Sequence, residues 1–239
     1  MAIRTVLVFD RFERLWHWSQ AASIFILIIT GFGLHGFYQI ASFKYMVLIH
    51  SLTALALVLL WILATFWLVT TGSWRHYVPT TKGLMKVARY YAVGIFKGEE
   101  HPYHKHFWRK HNPLQALAYL GLKIFLFPAI WISGLAYLSY GFWSDGQATN
   151  KILEVLAMIH VAAAFGIVMF IIAHLYLLTT GHSFVEHVKP MITGFDEIDL
   201  SEAEEAYLLE DERGRIKYGY ANIVDLSRVD EEAADVVVS

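Results

Sequence analysis

Four segments of this chain are long and apolar enough to cross a lipid bilayer, and they leave little choice of fold. They run from Leu15 to Leu34, Tyr45 to Val69, Leu114 to Leu138 and Ile152 to Thr180. About 20 apolar residues in helical form span the hydrocarbon core, and inside it a backbone must satisfy its own hydrogen bonds. The expectation is an all-α integral membrane protein, a bundle of four transmembrane helices. Pro128 removes a backbone donor inside the third span and predicts a kink there. The opening "MAIRTVLVFDRFERLWHWSQ" has no small-residue cleavage site and runs into an apolar stretch too long for a leader, so it reads as the approach to the first span.

Charge divides the chain. Residues 1–194 carry 15 Lys+Arg against 7 Asp+Glu, a net +8, whereas residues 195–239 carry 4 against 14, a net −10. The first part reads as a membrane domain and the second as an acidic tail that stays out of the membrane. Its composition favours a disordered extension; "SEAEEAYLLEDERGR" could also form a short helix that folds over the basic loop or binds a partner.

Within the membrane domain, the basic residues cluster before the first span (Arg4, Arg11, Arg14) and between the second and third. There, Arg75, Lys82, Lys86, Arg89, Lys97, Lys105, Arg109 and Lys110 stand in a loop of about residues 72–112. The other two connections hold only Lys44, and Lys151 with Asp145. Positive residues remain inside, so both termini and the middle loop are expected in the cytoplasm, and the chain in the cytoplasmic (inner) membrane as a multi-pass protein. Leu84, Val87, Ala88, Tyr91 and Ile95 share one side of a helix in that loop, the pattern of a helix lying at the interface.

Ionisable rings inside hydrocarbon mark function. The chain has 12 histidines and no cysteine, so thiolate-bound iron–sulfur and zinc sites are excluded within it and histidine is the main candidate metal ligand. In "IHVAAAFGIVMFIIAHLYLLTTGH", His160 and His174 lie fourteen residues apart. That spacing comes to about 1400°, roughly 40° short of four turns, and a rise of about 21 Å. The two rings therefore share one face of the fourth helix at opposite depths. His17 begins the first helix at the inner end, and His50 stands near the outer end of the second. Pairing by depth joins His17 with His174 and His50 with His160. Two axial imidazoles suit low-spin haem iron, so two b-type haems are expected, one above the other.

Gly31, fourteen residues after His17, and Ala163 and Ala164, one turn from His160, offer room at the outer level. His35, in "GFGLHGFY", is a rival outer ligand whose glycine-rich setting reads as a helix end. "HPYHKHFWRKH" lacks regular ligand spacing and reads as interfacial loop.

"RFERLWHW", His50, "HNPLQALAY", the His160/His174 pair and "TTGHSFVEHVKPMITG" together resemble the cytochrome b (gamma) subunits of membrane-bound formate dehydrogenases, thiosulfate reductases and nickel–iron hydrogenases, over about residues 10–195. The resemblance implies four helices holding two haem b groups with the same pairing. It also implies a quinone site (menaquinone or ubiquinone) beside the inner haem, where Asn112 and Gln115 match the family's Asn and Gln. Relatives often place a Lys directly after that Gln; Ala116 stands here. An iron–sulfur subunit and a molybdenum, tungsten or nickel–iron catalytic subunit are implied as partners outside the cytoplasm, and no nucleic acid.

The function expected is a membrane anchor that passes electrons between that extracytoplasmic oxidoreductase and the quinone pool. The alternatives are a self-sufficient di-haem oxidoreductase of the cytochrome b561 type, or an anchor or transporter whose histidines line a proton or metal path. On its residues alone, Asn112 also suits an N-cap, with Pro113 at the first helical position.

Overall fold

A computed structural model describes residues 2–99, 102–103, 107, 110–144, 149–179 and 184–210. In chain order the elements are strand β1 (Ala2–Leu7), helices α1 (Arg11–Leu34), α2 (Phe43–Thr71), α3 (Leu84–Arg89), α4 (Pro113–Gly121), α5 (Phe127–Leu138), α6 (Tyr140–Trp143), α7 (Thr149–Thr179) and α8 (Phe184–Thr193), strand β2 (Phe195–Leu200) and helix α9 (Glu202–Glu210).

Four helical stretches have the length and apolarity of membrane spans: Arg11–Leu34, Phe43–Thr71, Pro113–Leu138 and Asn150–Thr179. They match the expected apolar runs to within four residues at either end. Within the bundle α1 packs on α2 and α5 on α7. Gly72 closes α2 with φ at 72°, a left-handed conformation that a side chain would strain.

Pro128 is accommodated without breaking the third span. Between α4 and α5 the chain makes a π turn, Leu122–Leu126, in which the Phe127 N–H reaches back five residues to the Leu122 carbonyl. Proline cannot donate and its ring crowds the carbonyl four residues before it; one wide turn relieves both constraints. The turn sits at the centre of the bundle. Leu122, Phe127 and Ile167 are buried there, with Trp61 and Trp131 packed against them.

The middle loop carries α3, which continues through a π turn at Tyr90–Gly94 and a 3-10 turn at Ile95–Lys97. Val87 is buried and Leu84, Ala88, Tyr91 and Ile95 are half-buried, while Lys82, Lys86, Arg89 and Lys97 are exposed.

Two expectations need correction. The protein is not all-α: β1 and β2 form an antiparallel two-stranded sheet, from Ala2 opposite Leu200 to Leu7 opposite Phe195. Nor is the start of the acidic segment a disordered extension, because residues 195–210 supply β2 and α9. Residues 211–239, like His101, His104, His106 and His182, lie outside the described residues.

The physical reason is in the side chains that net charge hides. Val6, Val8, Ile198, Leu200 and Leu208 are buried together around Phe107 from the middle loop. Glu204, only 2% exposed, accepts the Phe107 backbone N–H at 3.0 Å and the Ser201 N–H at 3.1 Å. Arg4 pairs with Glu205 at 2.8 Å. At the neighbouring end of α8, Arg14 donates to the Ile192 carbonyl and Trp18 to the Met191 carbonyl, the latter at 2.9 Å. Both terminal strands and the middle loop thus meet at one end of the bundle.

Phe107→Ala removes the shared centre of this cap. Truncating a buried phenylalanine costs about 3–5 kcal/mol. Amide hydrogen exchange at Val6 and Ile198 should quicken by on the order of 100-fold, while amides at the middle of α2 and α7 keep their protection.

Candidate functional site

At the end of the bundle remote from the sheet, α2 presents His50 and α7 presents His160. Their ring centres are 6.3 Å apart and the ring planes cross at 61°. Two imidazoles on opposite sides of one iron, each bonded at about 2 Å, hold their ring centres about 6 Å apart. The pair therefore fits bis-histidine ligation. Glycine makes room for both rings. A Cβ on Gly134 would stand 3.1 Å from His160 Cε1, and one on Gly31 would stand 3.6 Å from His50 Cε1. The space expected beside Gly31 is thus where the His50 ring rests. Ala163, one turn from His160, is buried.

Each of these rings meets a hydroxyl. Thr30 Oγ1 on α1 is 2.8 Å from His50 Nδ1, and Ser133 Oγ on α5 is 3.0 Å from His160 Nδ1. His35 caps the end of α1 and is exposed, near enough for its charge to act on both rings.

At the sheet end, α1 presents His17 and α7 presents His174. His174 lies close enough for its charge to act on His17. The His174 ring is stacked on Phe170, with 6.2 Å between centroids, and its Nδ1 is 3.2 Å from the Tyr119 hydroxyl. His17 Nδ1 is buried and has no hydrogen-bond partner among the described residues. The structure thus brings His50 to His160 and sets His17 and His174 at the other level. Among the described residues no three His, Asp or Glu side chains gather as a bare metal ion would require.

Asn112 and Gln115 stand just below this second level, and they bond each other. Asn112 Oδ1 accepts the Gln115 N–H at 2.8 Å, and Gln115 Oε1 accepts the Asn112 N–H at 3.2 Å. This is a reciprocal capping box at the start of α4, with Pro113 in the first turn. Asn112 is 6% exposed and donates through Nδ2 to the Tyr91 hydroxyl at 3.2 Å. The capping role is therefore realised, and the Gln115 amide nitrogen is the polar group of the pair that the cap does not use.

Sequence reasoning missed a buried polar cluster next to this cap. Glu13 on α1 and Lys110 on the middle loop are 2.5 Å apart with side chains 2% and 4% exposed, and the Tyr77 hydroxyl donates to the same carboxylate at 2.5 Å. Burial and the adjoining Glu13 carboxylate hold Tyr77 well above the usual tyrosine range. His111 lies between Tyr77 and Tyr119, at 5.4 and 4.6 Å between ring centres. Burial first, then the charges of Lys123 and Lys110, hold His111 down at about 3. A glutamate two residues inside an amphipathic helix start is an ordinary sight in a sequence, so nothing local marked Glu13. The hydroxyls of Thr30 and Ser133 did carry a signal: each is a polar group inside an apolar run at the depth of an outer histidine.

Residues 8–194 match the family described as Prokaryotic cytochrome b561. The chain is 31% identical over 195 residues to the Escherichia coli (strain K12) protein named "Putative cytochrome YdhU", across 80% of this chain and 74% of that one. No solved structure matches the chain.

The His111 environment predicts a pH dependence. In the unfolded chain the ring takes a proton near its usual 6.5, whereas in the fold it stays neutral to about 3. Below pH 6.5 the unfolded state binds more protons, so this ring's contribution to stability is lost as pH falls from about 6.5 towards 3. Thermal unfolding in detergent should show Tm falling over that window in the parent protein, and less steeply in His111→Phe.

Proposed function

Because the chain belongs to the prokaryotic cytochrome b561 family, we propose that it is a di-haem cytochrome b which anchors an oxidoreductase and links it to the quinone pool. Family and spans together make it a multi-pass inner-membrane cytochrome with b-type haem, moving electrons across the bilayer. The observation that carries the finer reading is the two levels of histidine: His50 on α2 facing His160 on α7 at 6.3 Å, and His17 on α1 with His174 at the opposite end of α7. Haem at each level would supply one-electron storage.

The chain's own residues do the rest. Four imidazoles would hold the haem groups, the helices exclude water, and the fourteen-residue spacing on α7 sets the two levels about 21 Å apart. Positive residues at the sheet end support a cytoplasmic placing of both termini. The remote end then faces outward, where an iron–sulfur subunit with its molybdenum, tungsten or nickel–iron catalytic partner would dock. At the inner level, the Gln115 amide nitrogen, beside Asn112, would donate to a quinone carbonyl while the ring lies in apolar surroundings. The family name supports a second reading equally well, a self-sufficient cytochrome that exchanges electrons with a small reductant without large partners.

Mild purification and identification of what co-purifies separates the two readings. Large iron–sulfur partners support the anchor, and haem protein alone supports the second. His50→Ala or His160→Ala should halve the haem content and leave the inner signal; His17→Ala or His174→Ala should do the reverse. Loss of an outer haem in His35→Ala but not in His50→Ala would overturn the pairing. Gln115→Met should slow quinol-driven haem reduction at least several-fold with haem content unchanged. Equal rates, still blocked by a quinone analogue, would move that site elsewhere.

A further inference from the structure

The hydroxyls of Thr30 and Ser133 each have one proton, and the fold shows where it goes. Thr30 Oγ1 lies 2.7 Å from the Ile26 carbonyl oxygen, and Ser133 Oγ lies 2.6 Å from that of Ala129. Two oxygens this close repel unless a proton lies between them, so both hydroxyls donate to their own helix backbone. Towards the histidines they can only accept. The Nδ1 atoms at 2.8 and 3.0 Å must then bring their own protons. With Nδ1 protonated in a neutral ring, the lone pair is on Nε2.

We propose that Thr30 and Ser133 are positioning residues for the outer site: each accepts the Nδ1–H of one histidine, fixes the tautomer and ring angle that leave Nε2 free to ligate, and strengthens that nitrogen as an electron donor. The inference rests on the di-haem reading. A ligand histidine that gives its second N–H to an acceptor becomes the more basic ligand. A more basic ligand favours the oxidised iron and lowers its reduction potential.

The inner level is built differently. Tyr119 reaches His174 Nδ1 at 3.2 Å, and its phenol proton has no carbonyl partner among the described hydrogen bonds. His17 Nδ1 has no partner among the described residues. The acceptor pair thus belongs to one site, and it biases the outer haem downward in potential without acting on the inner one. The partners come from neighbouring helices: α1 holds the ligand on α2, and α5 holds the ligand on α7.

The test is an optical redox titration of the purified full-length protein, parent and variants, with haem content measured alongside. Thr30→Val keeps the shape and removes the acceptor; Ser133→Ala removes it at the other ligand. Each should raise the outer haem's midpoint potential, with a larger rise in the double variant, and leave the inner haem unmoved. Thr30→Ser should restore the parent value. Loss of the outer haem in Thr30→Val and Ser133→Ala, with retention in Thr30→Ser, supports the same role read as occupancy. Unmoved potentials in both variants with both haems bound would overturn the proposal. So would loss of the outer haem in Thr30→Ser as well, since space rather than the hydroxyl would then be at issue. A parent protein holding fewer than two haems would instead overturn the di-haem reading on which it stands.

Discussion

A histidine in hydrocarbon has two ring nitrogens to satisfy and no water to do it with. An unpartnered polar group there costs several kcal/mol, so the surrounding helices have to supply what solvent would. Around the outer pair that demand is met in two steps. The imidazole N–H goes to a hydroxyl, and the hydroxyl proton goes to a carbonyl of its own helix. The second ring nitrogen of each then keeps its lone pair, and the two rings stand 6.3 Å apart between centres. A pair of rings arranged this way retains ligand capacity, and the packing of α1 on α2 and of α5 on α7 supplies the hydroxyl partner of each ring.

The centre of the bundle separates the two levels with bulk. Trp61, Phe127 and Trp131 are in mutual contact, with Trp61 and Trp131 at 4.7 Å and Phe127 stacked on Trp131 at 5.7 Å between centroids. The π turn before Pro128 places Phe127 in that layer. A proline that would weaken an isolated helix instead sets the side-chain phase of α5, and with it the position of Ser133 one and a half turns further on.

The sheet end answers to a different constraint. Glu13 and Lys110 form an ion pair away from water, with the Tyr77 hydroxyl and the Asp10 N–H completing the carboxylate's bonds. Such a pair adds little net stability, because desolvation offsets most of the attraction; separating the partners is what costs. Its effect is to hold the middle loop against the start of α1, close to His111 and Tyr119. The terminal strands, Phe107 and Glu204 close the same end.

Sequence alone determined the spans, the side on which basic loops gather, and the level of His17, His50, His160 and His174 along their helices. Those properties follow from hydrophobic run length and from the fixed rise and twist of a helix, which any local window of residues expresses. It left Asn112 between a cap and a quinone contact, and the tertiary structure filled the cap through the Gln115 N–H and Oε1, without drawing on the Gln115 amide nitrogen. Which hydroxyl meets which imidazole, which lysine neutralises Glu13, and that residues 2–7 pair with residues 195–200 were decided only in three dimensions. The physical reason is sequence distance. Ser133 and His160 are 27 residues apart and Glu13 and Lys110 are 97 apart. No periodicity within one helix records the rotation of that helix against its neighbour, and that rotation selects every one of these partners.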